Sequence, residues 1–391
     1  MKSFARAVIR WVWYAGLTFA TLGSSAGAFA AGNEIVVGQI LDQSPAWIEA
    51  GRDYAAGAKT YFDVVNSAGG VNGHRIVYLT RDTNGAAADV KSAATALLAE
   101  ARVDVLFGPI GDSAARALTD LGSPELNAAI IFAPLTGLQS TKAAVLTLRA
   151  GYEDEALELV RHFKGLGLTS FCLVSTPGEE QAAVVRAVRA AINMTSPATN
   201  QVANQALACE VHIEGGGRDA KAAAQLVSAR RPQAVIVLGD TSVLSNFARE
   251  FPFKQLGIVL GGLSLVNHTA LMEIAGPQVA KGIVLTQVVP SPQRLGVPIV
   301  LEHVKAMTRF RDEPPSHLTL EGFMAAKALV ESLRAGLPAR ALRREDVAAT
   351  LTRNHTRTAV HPTATDMGMA NAAGRRLVDV TMVRGDGTLI R

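Results

Sequence analysis

The sequence predicts an α/β protein built as two doubly wound parallel-sheet lobes around a cleft. Three observations carry that expectation. Short apolar runs take turns with amphipathic, helix-like segments along most of the chain. The runs are continuous rather than alternating, as strands buried on both faces of a parallel sheet require. The pattern pauses near Ala150 and restarts at Tyr152, giving two sets of the same units. A chain of 391 residues also exceeds what one core usually takes.

The first set reads EIVVGQI, AGAKTYFDVVNSAGG, HRIVYLTRD, AADVKSAATALLAE, VDVLFGP, SAARALTDLG and AAIIFAP, strand and helix in turn. The second, from Tyr152, reads EDEALELVRHFKGLG, SFCLVS, EEQAAVVRAVRAAI, ALACEVHIE, DAKAAAQLVSARR, AVIVLGD, VLSNFAREFP and IVLGG. After GIVLTQVVPSP come two long helical segments, PIVLEHVKAMTRFRD and LEGFMAAKALVESLRAG, and a shorter one, RREDVAATLTRN. The close, RLVDVTMVRGDGTLI, reads as a hairpin about Gly385-Asp386-Gly387. Ala150 to Tyr152 and Val288 to Pro292 read as crossings between lobes, the second because two prolines stop a strand. Residues 355–374 read as a loop and a candidate third crossing. This map puts residues 31–150 and 288–360 in one lobe, and 151–287 and 361–391 in the other.

The first thirty residues carry Lys2, Arg6 and Arg10 ahead of an apolar stretch ending in small residues at Ala28-Phe29-Ala30. That is the pattern of a secretory signal peptide over residues 1–30, with an uncleaved anchor as the alternative. No cysteine lies there for lipid attachment. Three of the excess positive charges leave with the leader, so little remains to attract nucleic acid or an anionic membrane. Cys172 and Cys209 fall in runs read as consecutive strands. Export permits a disulfide, and two buried thiols are the alternative.

Enzymatic and cofactor motifs are missing. There is no G-x-S-x-G elbow, no phosphate loop and no H-E-x-x-H. Histidines and cysteines show no metal-ligand spacing, and GGGRD at Gly215 to Asp219 lacks the dinucleotide spacing. No cofactor and no metal are expected. The triplets at Asn193, Asn267 and Asn354 read as chance occurrences.

Open parallel sheets bind ligands at the carboxyl ends of their strands, beside helix N-termini. The polar strand ends here are LDQSPAW, GPIGDS and APLTG in the first lobe, and STPGEE, GDTS and GGLSLVN in the second. They nominate Gln43, Ser44, Trp47, Gly111, Asp112, Ser113, Leu135, Thr136, Gly137, Asp240 and Ser264, with Tyr152 at the crossing. Ser113 and Thr241 also suit helix N-caps, Gly137 suits a turn, and Trp47 is either a ligand platform or a lid on the core.

Together, EIVVGQI, AGAKTYFDVVNSAGGVNGHRIVYLTRD, VLFGPIGDS, IIFAPLTG, LRAGYEDEALELVRHFKGLG and GIVLTQVVP with LEGFMAAKALVESL resemble the periplasmic substrate-binding proteins of ABC importers, closest to the leucine/isoleucine/valine-binding type. The resemblance implies a type I fold, three interlobe crossings, and a monomer in the periplasm handing a small solute to a membrane permease. A sensory module for a membrane receptor is the alternative. It also implies that Asp112 or Ser113, with Leu135, Thr136 and Gly137, occupies the place where relatives grip an amino acid's carboxylate. The loop Gly261 to Leu265 lacks the acid that usually meets the ammonium, and STPGEEQ stands where relatives often carry an aspartate. The expected solute is a small polar molecule, an amino acid, amide or aromatic-acid-like compound. A carboxylate at Asp112 opposes a ligand carboxylate in a poorly solvated cleft, so a polar or weakly cationic solute, or an aromatic or amide compound, is favoured over an ordinary branched-chain amino acid.

Overall fold

A computed structural model describes residues 34–45, 47–122, 126, 128–177, 179–193, 206–214, 217–339, 342–358 and 376–391. The leader and residues 359–375, which include most of the candidate third crossing, lie outside the described residues.

The first sheet follows the predicted alternation: β1 (Glu34–Asp42), α1 (Ile48–Ser67), β2 (Arg75–Thr83), α2 (Ala87–Ala99), β3 (Val105–Phe107), α3 (Gly111–Thr119) and β4 (Ile130–Phe132). A two-residue strand, β5 (Val145–Leu146), adds an edge that the apolar runs did not announce. The order is β2-β1-β3-β4-β5, all parallel. The unbroken run in β1 buries both faces. Ile35 and Val37 join Tyr54 and Ala58 of α1, whereas Ile40 joins Val90, Ala94 and Leu97 of α2.

The chain then leaves this sheet. The second unit comprises α4 (Tyr152–Gly165), β6 (Ser170–Ser175), α5 (Glu179–Asn193), β7 (Ala206–His212), α6 (Ala220–Arg230), β8 (Ala234–Leu238), α7 (Thr241–Glu250), β9 (Val259–Gly262), α8 (His268–Ala275), the short α9 (Pro277–Ala280) and β10 (Val284–Gln287). The C-terminal hairpin, β11 (Asp379–Val383) and β12 (Leu389–Ile390), adds antiparallel to β10, giving β12-β11-β10-β9-β8-β6-β7. Cys172 and Cys209 are register partners on β6 and β7, with Cα atoms 4.6 Å apart, and form a disulfide. Export chemistry is thus compatible with the pair.

Between β10 and the hairpin the chain returns to the first sheet as α10 (Pro298–Phe310), α11 (His317–Arg334) and α12 (Arg344–Thr358). The last corrects the loop read from residue 355, because the helix continues to Thr358. Ser316 starts α11 with a capping box: its hydroxyl accepts from Thr319 N at 3.1 Å, and the Thr319 hydroxyl accepts from Ser316 N at 2.7 Å. α11 packs along α1. Two glycines permit the approach: a Cβ on Gly57 would lie 1.8 Å from the Thr319 carbonyl oxygen, and one on Gly322 would lie 2.0 Å from that of Tyr54.

Candidate ligand cleft

Loops at the carboxyl ends of strands from both sheets enclose a cavity of about 180 Å³. Trp47, following β1, and Asp112 and Ser113, at the start of α3, line it from the first sheet, with Tyr152 from the crossing. Thr176 after β6, Asp240 after β8, and Leu263 and Leu265 after β9 line it from the second. Three leucines, Leu238 among them, and an indole give the space apolar walls, and two carboxylates make it acidic. Among the described residues no lysine, arginine or histidine lines it.

Asp112 is held by hydroxyls. Its Oδ1 accepts from Tyr152 Oη at 2.7 Å and from Thr136 Oγ1. Burial raises its pKa, opposed by these hydrogen bonds and by Arg149 and Arg116. Tyr152 is pushed well up, first by burial and then by the neighbouring Asp112 charge, so its proton stays in place to donate. Asp240 caps α7 by accepting from Val243 N at 2.9 Å.

The wall thus gathers Trp47, Asp112, Ser113, Tyr152 and Asp240 from the nominated residues. The others take different places. Gln43 turns outward and donates to Asp82 at 3.2 Å, and the Ser44 carbonyl accepts from Trp47 N and Ile48 N at the start of α1. Gly111 adopts φ +83°, and the Trp47 ring lies so close that a Cβ would come within 2.9 Å of it. Trp47 therefore lies over the start of α3, packed against the core, and lines the cavity. Leu135 is buried; its N–H donates to the Pro109 carbonyl at 2.9 Å and its carbonyl accepts from Gly111 N at 3.1 Å. Thr136 is buried behind Asp112. Gly137 is required for proximity rather than for a turn, since a Cβ there would lie 2.2 Å from the Tyr152 ring. Ser264 faces away from the cavity wall toward Arg149.

The cap readings of Ser113 and Thr241 are corrected. α3 begins at Gly111 with Ile110 before it, and the Ser113 hydroxyl instead donates to the Gly85 carbonyl at 2.8 Å. Asp240, one residue earlier than Thr241, caps α7, while the Thr241 hydroxyl accepts from Asn267 N at 3.0 Å.

Sequence reasoning missed Arg149, a lone cation in LRAGYE. Its guanidinium is buried between Glu155 of α4, with Nη2 3.5 Å from Oε1, and Glu321 of α11, with Nη1 3.3 Å from Oε1, and Nη2 donates to Ser264. Glu155 Oε2 in turn accepts from Ser264 N at 2.8 Å and from Thr286. One side chain at the crossing thus joins both units. Thr176, Leu238, Gly239, Leu263 and Leu265 were missed individually, although the strand ends that carry them were not.

A cavity between two such sheets, at the carboxyl ends of their strands, defines a solute-binding architecture. The chain belongs to the periplasmic binding protein family, whose model matches residues 34–388. Its fold is similar to that of an extracellular ligand-binding receptor from Verminephrobacter eiseniae (20% identity, 92% of this chain and 100% of that one, TM-score 0.75). A branched-chain amino acid transporter substrate-binding protein from Streptococcus pneumoniae, solved with isoleucine, aligns over 92% of this chain and 98% of its own at 13% identity and TM-score 0.73. An ABC transporter solute-binding protein from R. palustris, solved with benzoate, aligns over 91% and 95% at 16% identity and TM-score 0.71. Comparison with curated proteins gives no match. The family and these neighbours are solute-binding proteins and not enzymes.

Proposed function

We propose that the chain is an exported periplasmic binding protein that closes as a monomer on a small cationic, amide-bearing or aromatic-amine solute and delivers it to an ABC permease. The observation that carries the ligand class is the pair Asp112 and Asp240 on a wall that, among the described residues, has no cationic side chain. A ligand carboxylate would meet both acids at once. The groups that relatives are expected to offer it are engaged internally here: Leu135 N–H with Pro109, and the Thr136 hydroxyl with Asp112. An ammonium or amide N–H would find acceptors in the same place, and its apolar part would lie against Trp47 and the three leucines. Isoleucine and benzoate are ligands of the neighbours named above, and both carry the carboxylate that Asp112 disfavours.

Thermal unfolding of refolded, ligand-stripped protein tests this reading against a panel of leucine, isoleucine, valine, benzoate, primary amides and aromatic amines. A tight amide or amine should add about 3 kcal/mol at a hundredfold excess over its Kd. A shift of that size with the branched-chain amino acids or benzoate, and none with the others, would overturn the charge argument.

A further inference from the structure

We infer that Arg149 is a positioning residue for solute binding: from the crossing it fixes the leucine wall of the cleft to the first unit without touching the solute. This inference rests on the cleft reading above. Leu263 and Leu265 line the cavity, and the Ser264 hydroxyl between them accepts from Arg149 Nη2 on the side away from it. Arg149 thus holds the back of the stretch whose front faces the solute. Among the described residues, the hydrogen bonds of its guanidinium run to Glu155 and Ser264 of the second unit, whereas its ion pair with Glu321 ties it to α11 of the first. Glu155 reinforces the same grip through its other oxygen, which accepts from Ser264 N at 2.8 Å and from the Thr286 hydroxyl of β10. The far end of the turn is held as well, where Asn267 N donates to Thr241 Oγ1 at 3.0 Å.

The crossing is itself clasped. Arg376, on the approach to β11, donates through Nη1 to the Arg149 carbonyl at 2.7 Å and through Nη2 to the Thr147 carbonyl at 3.2 Å. A second guanidinium therefore fixes the backbone from which the first one reaches. Arg149, Glu155 and Ser264 are all buried, so water does not replace a bond that is lost among them. An arginine suits the place because its rigid fork meets several partners at fixed angles, whereas a lysine ammonium keeps the charge and loses the fork. The separation between the leucines and the Trp47 and Asp112 wall is set through this relay, so a contact that never meets the solute governs how tightly it is held.

Hydrogen exchange of the full chain, read by mass spectrometry, tests the relay without any ligand. Ser264→Ala and Arg149→Lys should each raise exchange about tenfold over residues 263–266, the equivalent of one lost hydrogen bond to a charged group, and leave β8 protected. Ser264→Thr, which keeps a hydroxyl, should restore the protection. Ser264→Ala decides the matter if Arg149→Lys does not fold. Unchanged exchange over residues 263–266, or an equal rise in β8, would overturn the inference, since the bond would then be either idle or merely part of global stability. Benzylamine, an aromatic amine, is the solute probe for calorimetry, and it should bind about tenfold more weakly to Ser264→Ala than to the wild type. Equal affinity alongside raised exchange would also overturn it. Failure of the wild type to bind benzylamine would count against the ligand class proposed above, and the exchange data would still decide the role of Arg149.

Discussion

Asp112 is a carboxylate taken out of water and held by two hydroxyls, Thr136 and Tyr152, in place of a full counter-ion. Burial raises its pKa, so the folded protein holds that proton more readily than the unfolded chain does. Its ionised form therefore costs stability at neutral pH, and the cost fades as pH falls through the raised value toward the unfolded one. Asp112→Asn keeps an oxygen for both hydroxyls and removes the charge. We expect its Tm at pH 7 to equal or exceed that of the wild type, the gap to narrow on acidification, and amine or amide binding to weaken about tenfold or more. Unfolding curves at pH 7 and pH 5 check the sign, and a gap that widens at low pH would refute it. Asp112, Trp47 and Asp240 were legible because each follows an apolar run that had to be a strand. The caps slipped, by one residue at Asp240 and by three at Ile110, because Asp-Thr and Gly-Asp-Ser each offer more than one plausible start. Arg149 was illegible for a different reason: Glu155, Ser264 and Glu321 reach it only through the fold.

At the level of elements, helix α11 reaches α1 only because Gly57 and Gly322 lack side chains at the crossing. α1 also carries Tyr54, whose hydroxyl donates at 2.8 Å to the Ala133 carbonyl just beyond β4, so a displaced α1 would disturb a strand end beside the cleft. Alanine favours helix over glycine by about 1 kcal/mol, yet here its Cβ meets backbone that cannot turn aside. Gly57→Ala and Gly322→Ala should each destabilise by a net of about 1–3 kcal/mol. Gly165→Ala, where a Cβ meets nothing within 4 Å, should be neutral or stabilising. Chemical denaturation of the three variants decides the matter, and equal midpoints would remove the packing argument. The longer strands were readable from their continuous apolar runs, whereas β5 offers two residues and no period. The glycine pair was unreadable because each glycine also suits an ordinary helix interior, and only their meeting gives them a purpose.

Across the whole molecule, the contacts among the described residues that join the units include two that hold buried titratable groups. Arg149 anchors the crossing between Glu155 and Glu321, and burial raises the pKa of Glu321 despite that guanidinium. His268 of α8 and His317 of α11 meet edge to face between the units, where burial pushes His317 down to about 3 and lowers His268 as well. Loss of hydration is the main cause for both rings, and for His317 the neighbouring His268 adds to it. A base whose pKa is depressed in the joined state stays neutral there and binds a proton once the units separate. Joining is therefore unaffected above the ordinary histidine pKa of about 6.5, and below it weakens by up to ~1.4 kcal/mol per pH unit for each ring that remains neutral. We expect small-angle scattering to give a larger radius of gyration at pH 5 than at pH 7.5, and His268→Gln and His317→Gln to keep the compact dimension to lower pH. An unchanged radius, or variants that expand with the wild type, would mean that the ring contact does not govern how the two units meet.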